Sequence, residues 1–320
     1  MKKQGIILLV VLLLLVVIII IAIDLRSTRT ANRSVNKFAL DISEQIKVDP
    51  SLIGYKEVRD YNIEAKSPGG IAIRNQKIYM VADNFLQVFN TEGNQLFKVT
   101  LPYEARCLDV SKQEEIVIGF GNRVGYFNGK GDLLWISDTL NSRAFITAVA
   151  TKDDLIFAAD AGNRVVHRYD ISGKYLDNFE GGEDGGDMPG FIVPSGYFDL
   201  KISNDGELWI VNPGKHAFDN YTDEGDLRGY WANGSTDING FSGCCNPAHI
   251  AFLSNGSLVT SEKLIVRIKV HKPSGELVTV VAAPDEFKEN GVAPDIAVDD
   301  KDNIYALDYD RKTIRVFALK

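Results

Sequence analysis

A glycine-centred turn occurs five times in this 320-residue chain and constrains the fold more than any other feature. The turn glycines are Gly93, Gly131, Gly173, Gly225 and Gly275, and strand-like apolar runs flank them. Glycine supplies the positive φ that a tight hairpin needs, so each unit is predicted to be a β-hairpin. The glycines are 38, 42, 52 and 50 residues apart. That spacing fits four-stranded propeller blades and is too long for leucine-rich or ankyrin repeats.

Upstream of the hairpins, a second pair of strand-like runs repeats. The first strand of the pair opens at Gly70, Cys107, Thr147, Asp199, His249 and Asp295. The second strand of each pair is almost continuously apolar, as expected of a strand buried between sheets. Six openings predict an all-β fold with six blades. The chain ends after the third strand of the last blade, and we expect residues 58–65 to dock there as its outer strand and close the ring.

The first 23 residues have a different composition. Lys2 and Lys3 precede 18 consecutive apolar residues, Ile6 to Ile23. As a helix this run would span about 27 Å, close to the thickness of a bilayer core. Residues 1–23 are therefore predicted to be an uncleaved transmembrane signal anchor; a cleaved signal peptide is the alternative, although Ile23 to Arg26 offers no small-residue cleavage site.

An anchor of this kind predicts a single-pass membrane protein whose C-terminal part lies outside the cytoplasm, in a periplasmic or extracellular space. Residues 24–56 are interpreted as a stalk with a short amphipathic helix, and 57–320 as the propeller. The chain has 43 acidic against 35 basic side chains and a formal net charge of −8. Nucleic acid is excluded as a partner, because phosphate binding needs a basic surface.

Two segments carry a family signature. Residues 158–174, A-A-D-A-G-N-R-V-V-H-R-Y-D-I-S-G-K, closely resemble the NHL repeat, and residues 296–317 are similar to it. The resemblance extends over about 58–320 and implies a six-bladed, TolB-like propeller. Propellers of these families mostly bind proteins, peptides or glycans, and some are lactonases or lyases with a metal at the channel. The resemblance thus implies a fold and leaves the reaction open.

In a propeller, each inner strand begins on the face where the second strand ends, so the six opening residues are expected to line one channel mouth. Asp199, His249 and Asp295 come from consecutive blades, and an imidazole with two carboxylates suits a divalent metal or an acid–base pair. A solvated polar funnel is the alternative. Thr147 and Cys107 belong to the same predicted binding face.

Further candidates lie in connections expected on this face. Cys244 and Cys245 are adjacent, and we considered a structural role, a vicinal disulfide or metal ligation with His249. His216 follows the second strand of blade four and is expected to reach the rim. His167 and His271 are predicted to be surface residues on third strands. Side chains at the ends of the second strands are predicted to cap the following turns: Asp83, Asp160, Asn212, Glu262 and Asp308.

The sequence favours a binding or scaffold protein over an enzyme. The predicted partner is a protein, peptide or glycan bound at the channel mouth, with the membrane contacted through the N-terminal helix and no cofactor required. One alternative is a metal-dependent lactonase or lyase that uses Asp199, His249 and Asp295. Another is a redox accessory protein that uses Cys244 and Cys245.

Overall fold

The computed structural model describes residue 5 and residues 11–21, 46–182, 189–243, 245–289 and 291–320. The chain divides into two compact units, Met1–Glu44 and Gln45–Lys320. In the first unit, residues 11–21 are helical. Within the described part of the chain, no helix combines the length and apolar character that a membrane crossing requires. Most of the predicted anchor and stalk, 1–23 and 24–56, lies outside the described residues, so both assignments stay predictions.

The second unit is a six-bladed β-propeller, as predicted, and every blade is a four-stranded antiparallel sheet. The strand that opens the unit is β1 (Tyr55–Asn62). Blade 1 comprises β2 (Pro68–Arg74), β3 (Lys77–Ala82), β4 (Phe85–Asn90) and β5 (Gln95–Thr100). Blade 2 comprises β6 (Cys107–Val110), β7 (Ile116–Gly119), β8 (Val124–Phe127) and β9 (Leu133–Ile136). Blade 3 comprises β10 (Ile146–Lys152), β11 (Leu155–Asp160), β12 (Val165–Asp170) and β13 (Tyr175–Phe179).

The remaining blades follow the same order from the inner to the outer strand. Blade 4 comprises β14 (Leu200–Ile202), β15 (Leu208–Asn212), β16 (Ala217–Tyr221) and β17 (Leu227–Ala232). Blade 5 comprises β18 (His249–Phe252), β19 (Leu258–Glu262), β20 (Arg267–His271) and β21 (Leu277–Ala282). Blade 6 comprises β22 (Asp295–Val298), β23 (Ile304–Asp308) and β24 (Thr313–Leu319), with β1 outermost. Short 3₁₀ helices occur at Pro50–Leu52, Pro213–Lys215 and Pro284–Glu286.

The N-terminal strand closes the ring, as the sequence predicted. Strand β1 pairs antiparallel with β24, from Tyr55 opposite Leu319 to Asn62 opposite Thr313. The strand lies about three residues earlier than the predicted 58–65. Since the last blade is completed by the first strand, the two ends of the propeller are held together and the outer edge of β24 is paired.

Hydrophobic clusters hold the blades side by side, because each junction between neighbouring blades contains its own group of buried side chains. At the junction of blades 1 and 2, for example, Tyr79 and Val81 pack with Ile116 and Phe127. The near-continuous apolar character of the second strands is thereby explained: β3, β7, β11 and β23 are buried on both of their faces.

We distinguish the two faces of the propeller by the strand connections that lie on them. The mouth face carries the turns from second to third strands and the connections from each outer strand to the next inner strand. The opposite face carries the turns from first to second and from third to fourth strands. The five repeated glycines lie in the turns from third to fourth strands, with φ between 85° and 96°. The hairpin prediction is therefore confirmed.

Candidate functional site

The six opening residues do converge where the inner strands begin. We call Gly70, Cys107, Thr147, Asp199, His249 and Asp295 the mouth ring. Each lies at the start of an inner strand: Cys107, His249 and Asp295 are the first residues of β6, β18 and β22, Thr147 and Asp199 are next to the first residues of β10 and β14, and Gly70 is the third residue of β2. Side chains at alternate positions of a strand point the same way, so the residues two positions further along form a second layer in the channel.

Three members of the mouth ring form a compact acid–imidazole group. His249 Nδ1 lies 3.4 Å from Asp199 Oδ2 and 3.6 Å from Asp295 Oδ1. One ligand atom from each of the three lies within 4.8 Å of the others. Burial alone would lower the pKa of His249, but the hydrogen bond that its ring donates to Asp199 and the charges of both carboxylates raise it. The imidazole between the two acids therefore keeps its proton to a higher pH than in water.

The same carboxylates also hold neighbouring blades together. Asp199 Oδ2 accepts the backbone N–H of Ile250 at 3.0 Å, which ties blade 4 to blade 5. Asp295 Oδ2 accepts the N–H of Ile71 at 2.9 Å, which ties blade 6 to blade 1. A side chain at position 70 would place its Cβ 3.2 Å from Asp295 Oδ2, so glycine there leaves room for this contact. The other oxygen of each acid accepts the N–H of the residue that follows it.

Burial and the neighbouring positive charges act in opposite directions on the pKa of Asp295. Desolvation raises its pKa, and the charge of Asp199 adds to the effect, while His249 and Lys201 oppose it. A carboxyl and an imidazole with raised pKa values in one group hold on to a proton more strongly than either does in water. The group can thus act as a proton donor and acceptor pair, or, once deprotonated, as a set of oxygen and nitrogen ligands.

Thr147 and Cys107 lie in the mouth ring but differ in accessibility. Thr147 Oγ1 donates to the carbonyl of Phe198 at 2.7 Å, which links blades 3 and 4. Cys107 is buried against blade 3, and desolvation, with the charges of Asp199 and Asp295, raises the pKa of its thiol. A thiol held protonated in this way is a poor nucleophile and a poor metal ligand.

Two tyrosines complete the mouth and were not identified from the sequence. The ring of Tyr197 meets His249 edge to face, with centroids 5.7 Å apart. Tyr309 donates its hydroxyl to the carbonyl of Gly69 at 2.9 Å, and burial raises its pKa well above the ordinary value. Both residues lie in connections between strands, where a single tyrosine has no distinguishing pattern.

The remaining sequence candidates lie apart from the acid–imidazole group. The ring nitrogen Nδ1 of His216 is 2.8 Å from the carbonyl of Asn246, so this histidine fastens the connection between blades 4 and 5. Cys245 is buried in that connection. Cys244 lies outside the described residues, and the disulfide and metal alternatives for the cysteine pair stay predictions.

The second layer of the channel contains a charged pair that the sequence analysis missed. The second-layer residues Ala72, Asp109, Lys201, Ala251 and Ala297 line a cavity of about 290 Å³ below the mouth ring. Lys201 Nζ lies 3.7 Å from Asp109 Oδ1. Burial opposes the charge of Lys201, but the carboxylates of Asp109, Asp199 and Asp295 raise its pKa. Alternation along the inner strands was the signal that could have placed Lys201 and Asp109 in the channel.

The ends of the second strands follow the capping prediction in two of five cases. Asp160 accepts the N–H groups of Gly162 and Asn163, and Asp308 that of Arg311, all in the turns that follow. Asp83 and Asn212 instead accept N–H groups from connections that precede their blades, Lys66 and Ser67 for Asp83 and Ile192 for Asn212.

Glu262 contradicts the capping prediction. It is fully buried and pairs with Arg267 at 2.7 Å and Lys269 at 2.8 Å. Desolvation lowers the pKa of Lys269 to about 8.

The prediction that His167 and His271, on the third strands β12 and β20, are surface residues was wrong. His167 is buried and its Nε2 lies 3.1 Å from Asp160 Oδ2. His271 is fully buried between Trp231 and Phe241, and burial with the nearby charge of Lys269 lowers its pKa to about 3. His271 is covered by residues from blade 4 and its following connection, and His167 contacts Asp160 and Tyr175 of its own blade; periodicity within one strand reveals neither.

Around the mouth ring, the mouth face exposes apolar side chains. They are Tyr103 (45% exposed), Phe145 (37%), Ile192 (41%), Leu264 (47%) and Val292 (44%), and each comes from a different turn or connection. Cations lie over three aromatic rings of this face: Arg123 over Tyr103 at 5.4 Å, Arg106 over Phe145 at 5.6 Å and Lys263 over Tyr197 at 5.2 Å. We call the five exposed side chains the apolar rim.

Comparison with known proteins supports the fold. No family model and no curated protein sequence matches the chain. A streptogramin B lyase structure is 13% identical with a TM-score of 0.59, and the match covers 85% of this chain and 100% of that one. Virginiamycin B lyase from Staphylococcus aureus is 16% identical with a TM-score of 0.57, and the match covers 83% and 100%. A Bacteroides thetaiotaomicron protein of unknown function is 14% identical with a TM-score of 0.59, over 83% and 76%.

Proposed function

We propose that this chain is a membrane-anchored, extracytoplasmic propeller of the NHL or TolB-like type that binds a protein or peptide partner through its mouth face. The anchor rests on the apolar run from Ile6 to Ile23, and the family type on the repeat-like segments 158–174 and 296–317. The observation that carries the binding role is the apolar rim, in which five exposed side chains from different blades share one face.

The chemistry of the rim favours a polypeptide. Exposed aromatic rings next to arginines are the residue types that dominate protein interfaces energetically. Ile192, Leu264 and Val292 add aliphatic surface, which suits leucine- or valine-like side chains better than the hydroxyl-rich faces of a glycan. The basic groups over Tyr103 and Phe145 add a preference for acidic residues in the partner.

The test is a selection of peptides from a displayed random library on the purified full-length chain, followed by fluorescence anisotropy on the enriched sequences. We expect Phe145→Ser and Tyr103→Ser each to weaken binding about tenfold or more, the size of an interface hot spot. The matched control is Tyr230→Ser, because Tyr230 is 55% exposed but lies on the outer strand β17. Equal losses in Tyr230→Ser and Phe145→Ser, or enrichment only on a glycan array, would contradict the proposal.

A second candidate function is a lyase or related enzyme that uses a divalent cation. It is favoured by the spacing of ligand atoms in Asp199, His249 and Asp295, and by the fold shared with streptogramin B lyase. Two carboxylate oxygens and one imidazole nitrogen suit such a cation, because each carboxylate oxygen keeps a lone pair beyond its backbone N–H. A bound cation would polarise a carbonyl or ester oxygen of the substrate. Tyr197 would orient the ring of His249, and the mouth ring would restrict access of water.

Isothermal titration of the full-length chain with Mn²⁺ or Mg²⁺ decides between the two functions. The enzyme candidate requires saturable binding that His249→Ala abolishes and His216→Ala leaves intact, since His216 lies outside the ligand group. The absence of saturable binding, or equal effects of the two variants, rejects the metal site and leaves the binding function unaffected.

A further inference from the structure

The cavity below the mouth ring is lined by small side chains together with charged ones. All six inner strands or their ends line it, and it is accessible from the opposite face, whose turns Ser111–Gln113 and Ser203–Gly206 form part of its wall. Three of the second-layer positions are alanines, Ala72, Ala251 and Ala297. Small side chains at these positions create the space, since larger residues would fill a channel of this width.

Lys201 projects into this space without a close partner. Its side chain is 18% exposed, and Asp109 Oδ1, at 3.7 Å, is beyond hydrogen-bond distance. Among the described residues, no oxygen accepts a hydrogen bond from Lys201 Nζ, whereas the similarly placed Lys152 makes two to Asp223, at 2.5 and 2.7 Å. The charge of Lys201 is balanced by the nearby carboxylates, but its N–H donors remain without an acceptor at hydrogen-bond distance.

A second cation with unfilled donors lines the same cavity. Arg74 donates Nε to the carbonyl of Val110 at 3.2 Å, and its two terminal nitrogens have no hydrogen-bond partner in the described part of the chain. The carboxylate that pairs with Lys201, Asp109, uses its Oδ2 to accept from Thr151 N–H and Oγ1, which leaves only Oδ1 facing Lys201. The unsatisfied groups in this cavity are therefore mainly N–H donors on positive charges.

From this arrangement we infer that the cavity is a second ligand site, which binds a small carboxylate between Lys201 and Arg74. Planar carboxylates are the best acceptors for a guanidinium and accept from an ammonium at the same time. The cavity volume of about 290 Å³ is roughly twice that of an engineered cavity of about 150 Å³ that holds benzene, so the ligand is a small molecule.

The surroundings of the entrance narrow the ligand class further. The turns of the opposite face carry many more acidic than basic side chains, among them Asp153, Asp223, Asp299 and Asp302. Within about 8 Å, the screening length at physiological salt, these charges repel an approaching polyanion. Because this repulsion grows with the charge of the ligand, the entrance disfavours nucleotides and polyphosphates more strongly than a mono- or dicarboxylate. The site is independent of the partner surface, because it lies at the other end of the channel.

The test is isothermal titration of the purified full-length chain with acetate, succinate and inorganic phosphate at constant ionic strength. We expect saturable binding of acetate or succinate that exceeds binding of phosphate. Lys201→Met, which keeps the stem and removes the charge, is expected to weaken carboxylate binding at least tenfold. Lys272→Met is the matched control, because Lys272 is an exposed lysine of the same face paired with Glu276.

The variant Asp109→Asn tests whether the site binds an anion. A site for an anion gains affinity when the nearby carboxylate is neutralised, so we expect Asp109→Asn to bind succinate at least threefold more tightly. A variant that only damages the structure would bind more weakly. Tighter binding of phosphate than of either carboxylate, no saturable binding of any of the three ions, or equal affinity in Lys201→Met and Lys272→Met would overturn the proposal.

Discussion

The two layers of the channel use the same inner strands, only two residues apart, yet their charged groups are held in different ways. In the mouth ring, all four carboxylate oxygens of Asp199 and Asp295 accept backbone N–H groups, two of them from the next blade. In the second layer, Asp109 also ties two blades through Thr151, but Lys201 Nζ, 3.7 Å from Asp109 Oδ1 and beside a cavity, donates no hydrogen bond in the described part of the chain. Charged side chains in a propeller channel can thus hold the blades together or remain available to a ligand, and the filling of their hydrogen bonds distinguishes the two cases.

The largest effect is expected where a mouth-ring carboxylate is removed. Asp199→Ala leaves the N–H groups of Leu200 and Ile250 without an acceptor, and both residues are fully buried. Each unsatisfied buried donor costs about 1–3 kcal/mol, so we expect a loss of about 3 kcal/mol in the free energy of unfolding. Asp109→Ala should cost only about 1 kcal/mol, because water from the cavity can reach the N–H of Thr151. Urea unfolding of both variants measures the difference.

The control for this comparison is Asp199→Asn, which keeps one acceptor oxygen at nearly the same volume. It should recover part of the stability lost in Asp199→Ala. If Asp109→Ala is as destabilising as Asp199→Ala, the second layer holds the blades as firmly as the mouth ring, and the contrast between the layers fails.

A change of pH is expected to have an intermediate effect on the free energy of unfolding. The folded pKa of His249 is raised, so the folded chain binds more protons than the unfolded chain. The stability from this group is fully present below its unfolded pKa of 6.5 and is lost as the pH rises through the folded pKa. Asp295, whose pKa is also raised, acts with the same sign at lower pH, above its unfolded value of 3.8.

The measurement is the urea-unfolding free energy of the chain and of His249→Gln at several pH values above 6. The slope for one proton is at most about 1.4 kcal/mol per pH unit. We expect the stability of the unsubstituted chain to fall with rising pH relative to His249→Gln. A difference that stays constant, or grows with pH, would show that His249 is neutral in the mouth ring. His271, with its pKa lowered to about 3, is present in both chains and cancels.

The fold was largely predictable from sequence because each blade repeats a pattern that is local in the chain. The repeated glycines indicated hairpins correctly, but their backbone angle is only part of the reason for them. A side chain on Gly275 would meet Trp231 at 2.8 Å, and one on Gly93 would meet Tyr61 at 2.3 Å. In both cases the aromatic ring comes from the outer strand of the preceding blade. Such contacts between blades have no trace in the hairpin itself.

The site was only partly predictable for the same reason. Asp199, His249 and Asp295 were found because they share a position in the repeat, and the structure brings their ligand atoms together. The environments of Lys201 and His271 depend on which blades and connections cover them. The alternation of side chains along β14 places Lys201 in the channel. Whether an acceptor lies near Lys201 depends on the residues that the other blades place there, and three of these are alanines.

The smallest effect is expected for the substitution that removes the second-layer cation. Lys201→Met loses no hydrogen bond in the described structure and keeps an apolar stem of similar length, so the free energy of unfolding should change by no more than about 0.5 kcal/mol. The measurement belongs at pH 6, where a protonated His249 still balances Asp199 and Asp295. A loss above about 2 kcal/mol would mean that Lys201 and Asp109 form a structural ion pair. A neutral result, beside the large loss in Asp199→Ala, would confirm that the chain keeps Lys201 for something other than the stability of the ring.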